Sequence, residues 1–149
     1  MDFLPSLPGS YALHLINPVP RQMKIGRLDE FTFPPGHYLY MGSAHGPGGL
    51  KARLRHHARV SSRPHWHLDY LRPFLHVAGG WYATGTERLE CEWVSLAARE
   101  AGAGFPAKGF GSADCINGCT AHLVAFAGSA DFSRAAQLFD NIAIGFKIG

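Results

Sequence analysis

Two hydrophobic periods divide the chain. Tyr11-Ala-Leu-His-Leu-Ile alternates, placing Tyr11, Leu13 and Leu15 on one face, and so predicts a strand. Asn17-Pro-Val-Pro marks a turn, and the runs Met23–Leu28 and Glu30–Phe33 read as a short strand or hairpin ended by Pro34-Pro35-Gly36. Gly36–Met41 alternates again, with Tyr38 and Tyr40 on one face and Leu39 and Met41 on the other. Gly42, Gly46, Pro47, Gly48 and Gly49 stop that strand. From Leu50 the period becomes 3.6: Leu50, Leu54 and Ala58 form a buried stripe, and Arg53 and His57 lie four apart on its flank. Further on, the pattern predicts a helix from His65 to about Phe74, a strand over Val77–Ala83, and a helix from about Thr86 to Ala101. A glycine-rich loop over Gly102–Gly111, a core strand over Thr120–Phe126 and a short amphipathic helix over Phe132–Phe139 complete the series. The order β–β–β–α–α–β–α–β predicts an α+β fold, a small mixed or antiparallel sheet flanked by helices, in one domain over residues 1–149.

Composition narrows the class. No run of about 18 apolar residues exists to span a membrane. The N-terminus, with Asp2, Pro5 and Pro8, lacks the basic-then-apolar order of a signal peptide. Three cysteines, an odd number, argue against a secreted disulfide scaffold, so a cytoplasmic protein is expected. The net charge of +3 is unevenly placed: Arg21–Arg72 holds nine of the 14 Lys/Arg and three of the 11 Asp/Glu, giving that half +6 and the remainder −3. A basic half that contains the glycine loop fits a polyanion partner.

The chemistry concentrates in the same half. A tyrosine strand end, a glycine loop and an Arg/His pair on the next helix could grip a phosphodiester. Ser43, His45, Gly48, Gly49, Lys51, Arg55, His65 and His67 are the candidate nucleic-acid contacts around it. In His65-Trp-His-Leu-Asp, a helix would bring only His65 and Asp69 to one face, which favours a supporting role or a phosphate contact over a metal site.

Tyr40-Met41-Gly42, followed by Leu50, Arg53 and His57, resembles the second half of the GIY-YIG nuclease signature, and Gly9-Ser10-Tyr11 its first half. The strings Gly42-Ser-Ala-His-Gly-Pro-Gly-Gly, His65-Trp-His-Leu-Asp-Tyr-Leu, Glu90-Cys91 and Gly109-Phe-Gly-Ser-Ala-Asp-Cys are similar to those of a small single-domain branch of that superfamily. The resemblance implies a site built from the two motif tyrosines, a helix arginine and one metal-binding glutamate, here Tyr11, Tyr40, Arg53 and a glutamate of the third helix. It also implies Mg²⁺ or Mn²⁺ as cofactor and nucleic acid, DNA in the first instance, as partner. Periodicity selects the glutamate: Glu90 is in line with Val94, Ala97 and Ala101, whereas Glu92 falls on the solvated side and Glu87 suits a capping box with Thr84. In this scheme Arg53 clamps phosphoryl oxygens, His57 relays a proton or holds the phosphate, and His56 points away. Tyr11 or Tyr40 takes a proton from water, which requires its pKa to be pushed below the usual 10 or so by the metal or by Arg53. The chain departs from the pattern in Ser10, which stands where the signature has isoleucine and needs its hydroxyl satisfied. It also shows no clear match for the asparagine that many members carry after the glutamate helix.

Cys115-x3-Cys119-x2-His122, with Cys91 elsewhere, forms a second constellation, three sulfurs and an imidazole that zinc accepts. Asp114 is a second candidate acid. Together with the resemblance, these residues lead to the expectation of a metal-dependent endonuclease, with a nucleic-acid-binding module of the same fold and little turnover as the alternative.

Overall fold

A computed structural model of the chain describes residues 1–112 and 115–148. Its elements are β1 (Gly9–Asn17), β2 (Arg21–Ile25), β3 (Asp29–Phe33), β4 (Gly36–Ala44), α1 (Gly49–Ala58), α2 (His67–Leu71), β5 (His76–Thr84), α3 (Glu90–Ala98), β6 (Ala103–Gly104), β7 (Leu123–Phe126), α4 (Ser129–Asp140) and β8 (Ile144–Lys147). The fold is α+β. Six strands form one antiparallel sheet in the order β6-β7-β4-β1-β5-β8, and β2 and β3 form a separate hairpin.

Strand alternation divides the interior into two cores. Tyr11, Leu13, Leu15, Tyr38 and Tyr40 pack on one face with Leu50 and Leu54 of α1, Leu68 and Leu71 of α2, and Ile25 and Phe33 of the hairpin. Ala12, Leu39 and Met41 face the other way, onto Trp93, Val94 and Ala97 of α3 and Phe132, Ala135 and Phe139 of α4. β1 and β4 are therefore buried on both faces, unlike the one-sided strands common in antiparallel sheets.

Several sequence expectations change in register or extent. His57, not Ala58, completes the buried stripe of α1 with Leu50 and Leu54, because its ring finds a hydrogen-bond partner inside the core. The helix expected from His65 starts at His67, where the Asp69 carboxylate accepts the backbone N–H groups of His65 (2.8 Å) and Trp66 (3.0 Å). It ends at Leu71, giving way to a 3₁₀ turn over Arg72–Phe74 that contains a proline. Asp69 thus serves as the cap of α2. The third helix begins at Glu90 rather than near Thr86, so exposed Glu87 closes no capping box with Thr84. The edge strands β6 and β8 carry no sequence period strong enough to announce them. None of the helices among the described residues is long and apolar enough to cross a membrane.

Candidate functional site

The first residues of β1 and the last of β4 meet at one end of the sheet, where both cores close. Tyr11 pairs with Gly42 across the two strands, and Ser10 pairs with Ser43. Gly42 has to be glycine for the tyrosine to lie there, since a Cβ at this position would sit 2.4 Å from the Tyr11 hydroxyl. On this sheet end opens a cleft of about 620 Å³ lined by Tyr11, Tyr40, Ser43, Arg53, Trp66, Arg88, Glu90, Cys91 and His122, among others.

Four elements supply the catalytic candidates: Tyr11 comes from β1, Tyr40 from β4, Arg53 and His57 from α1, and Glu90 from α3. Tyr11 Oη is 3.0 Å from His57 Nε2, and both residues are almost fully buried. Burial keeps the imidazole neutral, lowering His57 to about 3, with Arg53 contributing in the same direction. His57 Nδ1 has no hydrogen-bond partner among the described residues. An unpaired acceptor is cheaper to bury than an unpaired donor, so the favoured tautomer carries its proton on Nε2. In that form His57 donates to the Tyr11 oxygen, and the phenolic proton is left to point elsewhere.

Of the two influences that could make a tyrosine acidic, the metal and Arg53, the arginine by itself does not do so. Burial raises Tyr11 to about 12, outweighing the arginine beside it. Tyr40 is raised further, by burial and then by its neighbour Tyr11. Both phenols stay protonated at neutral pH, which suits them to donating hydrogen bonds.

Arg53 itself is held by its flat guanidinium, which lies 4.5 Å over the Trp66 ring and donates to the Ser43 carbonyl at 3.3 Å. Glu90 opens α3 and is half-buried, as the phase of its helix required. A hydroxyl relay fixes its carboxylate. The Leu89 N–H donates to Ser10 Oγ at 2.9 Å, Ser10 and Ser43 hydroxyls meet at 3.1 Å, and Ser43 donates to Glu90. Ser10 thus satisfies its hydroxyl and serves as the cap of α3 across 79 residues of sequence.

Other candidates lie away from the cleft. Gly49 is buried against the Leu7 backbone, and Leu50 and Lys51 donate their N–H groups to the carbonyls of Leu7 (2.9 Å) and Pro5 (3.0 Å). The N-terminus of α1 is therefore capped by the lead segment. Lys51 and Arg55 reach Asp2 at 4.0 and 2.6 Å, on a different surface. Gly48, the exposed α1 N-cap, His45 and exposed His65 do not line the cleft. His67 Nδ1 accepts the Gly111 N–H at 2.8 Å and so positions the cleft's far wall. His56 does not line the cleft, in keeping with its pointing away, and its Nε2 is 2.8 Å from Asp69 Oδ1. Trp66 and Arg88 were not singled out by sequence, because no spacing ties them to the tyrosines; only the fold does.

The cysteine constellation assembles on the same wall. Cys91 Sγ is 3.1 Å from Cys115 Sγ and 3.6 Å from His122 Nε2. The ligand atoms of Cys91, Cys115, Cys119 and His122 all lie within 4.8 Å of one another, a group able to hold a metal ion. Burial opposes a Cys115 thiolate, yet hydrogen bonds from the Cys119 backbone, Cys91, the Asn117 backbone and His122 outweigh it and lower the thiol to about 6. Asp114 lies outside the described residues.

Nothing among curated proteins or solved structures matches the chain. A family model does match, over residues 10–143, which include every cleft residue named above: the chain belongs to the family described as domain of unknown function DUF123.

Proposed function

We propose that the cleft is the active site of a metal-dependent endonuclease of GIY-YIG type, hydrolysing phosphodiester bonds in nucleic acid, DNA first among them. The observation that supports this most is the convergence of Tyr11, Tyr40, Arg53 and Glu90 from β1, β4, α1 and α3 on one open cleft. Glu90, half-buried, partnered by Ser43 and open to the cleft, is the one carboxylate lining it among the described residues and suits a hard cation keeping several of its waters, Mg²⁺ or Mn²⁺. Such an ion would polarise a phosphoryl oxygen and lower the pKa of a bound water. The chain's own residues supply the rest. Arg53, with its plane fixed against Trp66, binds the non-bridging oxygens as charge grows on them. The phenols of Tyr11 and Tyr40, protonated by virtue of burial, orient the attacking water or donate to the scissile phosphate.

The same raised phenols favour a second reading, a binding module of this fold with little turnover, since neither tyrosine is poised as a base. Nicking of supercoiled plasmid with Mg²⁺ or Mn²⁺ separates the two. The endonuclease reading expects wild-type nicking that Glu90→Ala and Arg53→Ala each reduce by about 10²–10³-fold, as loss of a charged transition-state contact does. Salt-sensitive binding without any nicking would select the binding module. Nicking that survives Glu90→Ala would remove this glutamate from the site.

A further inference from the structure

The sulfur–imidazole group is not used by the chemistry above, and its parts come from two separate places in the fold. Cys91 is on the first turn of α3, directly after Glu90. Cys115 and Cys119 lie in the segment leading to β7, and His122 immediately precedes that strand. His122 is already pinned by its backbone: its N–H donates to the Phe110 carbonyl at 2.8 Å and its carbonyl accepts the Met41 N–H at 2.9 Å. The thiols are free rather than paired in a disulfide.

We propose that Cys91, Cys115, Cys119 and His122 bind one zinc ion in a closed tetrahedral site, clipping the Cys115–His122 segment onto the first turn of α3 and so fixing the wall beside Glu90. Three thiolates and one imidazole are a soft, four-ligand set of the kind that structural zinc uses, with no position left for water. The spacing fits as well. Zinc bonds of ~2.3 Å to sulfur and ~2.0 Å to nitrogen place tetrahedral ligand atoms ~3.5–3.8 Å apart. Cys91 Sγ and His122 Nε2 are already 3.6 Å apart, and the Cys91–Cys115 pair at 3.1 Å has only to open slightly. Magnesium, which prefers six oxygen ligands, does not suit these atoms. Cys91, Cys115 and His122 line the cleft while Cys119 does not, so the ion is a clip at the cleft's margin rather than a participant in it.

The proposal does not rest on nuclease activity. The full chain, purified under reducing conditions without chelator, is expected to carry close to one zinc per molecule by elemental analysis. Removing zinc with a strong chelator should lower the melting temperature by roughly 5–10 °C and raise amide exchange in Cys115–His122 more than in β1 or β4. Cobalt added to the metal-free protein should give the intense visible bands and thiolate charge transfer of a tetrahedral site. Cys119→Ser should weaken zinc retention at least tenfold, whereas Glu90→Gln should leave it stoichiometric. A folded wild-type chain that neither carries zinc nor takes up zinc or cobalt overturns the proposal, whatever the variants do. So does a native mass two hydrogens lower, with Cys91 and Cys115 in one disulfide-linked peptide pair.

Discussion

At position 57 an imidazole occupies a place that the helical pattern reserves for an apolar side chain. It is tolerated because it remains neutral and shares a hydrogen bond with Tyr11. The consequence is a pH-dependent stability. His57 titrates at about 3 in the folded chain against ~6.5 when unfolded, so between those values the unfolded state binds the extra proton. Its contribution is fully present above ~6.5 and is lost as the pH falls from there toward 3. At pH 5 the loss amounts to about 2 kcal/mol, or roughly 4–8 °C in melting temperature. Asp69, held below the usual carboxylate range by the His65 and Trp66 N–H groups and by His56 despite its burial, adds to acid sensitivity only at lower pH. Thermal melts of wild type and His57→Gln at pH 7 and pH 5 check this. The variant should be less stable at pH 7 yet lose less on acidification, and parallel slopes for the two proteins would refute it.

At the scale of the element, α3 shows how a strand can start a helix. Residues 84–89 supply no side-chain cap, and Ser10 of β1 accepts the Leu89 N–H in their place. Ser10→Ala should therefore cost about 1–2 kcal/mol, the usual price of a lost N-cap. Because Ser10 also supports Ser43, and Ser43 donates to Glu90, the proposed endonuclease activity should fall in the same variant well beyond its stability loss. Ser10→Thr, which keeps the hydroxyl, should restore most of both. Full activity in a destabilised Ser10→Ala protein would show that the relay does not orient Glu90. The helix α1 is likewise finished from outside, with Arg72 donating to the carbonyls of His57 (2.7 Å) and Ala58 (2.7 Å) at its C-terminus.

For the whole molecule, the question is which of the basic residues are available to a polyanion. The half from Arg21 to Arg72 carries +6 in sequence. Arg72 is committed to helix carbonyls, Arg21 lies 3.8 Å over the Phe74 ring, and Lys51 and Arg55 face Asp2. Of that half Arg53 lines the cleft, joined there by Arg88 from beyond it. If the cleft takes nucleic acid as proposed, the salt dependence of DNA binding should register this division. Arg53→Ala should reduce the slope of log K against log salt by about 1, while Lys51→Ala should reduce it less. Arg72→Ala should lower the melting temperature and leave the slope alone. Equal slopes for wild type and Arg53→Ala would mean that the cleft does not receive the phosphates.

The alternation of β1 and β4, the helical stripe begun by Leu50 and Leu54, and the phase of Glu90 were legible in the sequence, because periods of 2 and 3.6 are local properties and survive without knowledge of neighbours. The sequence alone thus determined the α+β class, and the resemblance it carries nominated Tyr11, Tyr40, Arg53 and Glu90 as candidates; the glycine stop expected at Gly42 comes later, since Gly42 pairs with Tyr11 and β4 runs on to Ala44. What it could not determine were the partnerships. Ser10 as the cap of α3, His57 inside rather than beside the core, and Lys51 and Arg55 turned toward Asp2 each depend on atoms tens of residues away. The raised phenols depend on how completely the cores close around them, a property of packing that no pattern of residue types records. The sulfur–imidazole group was half legible: the spacing of Cys115, Cys119 and His122 is local, but only the antiparallel sheet and the packing of α3 upon it bring Cys91 to them.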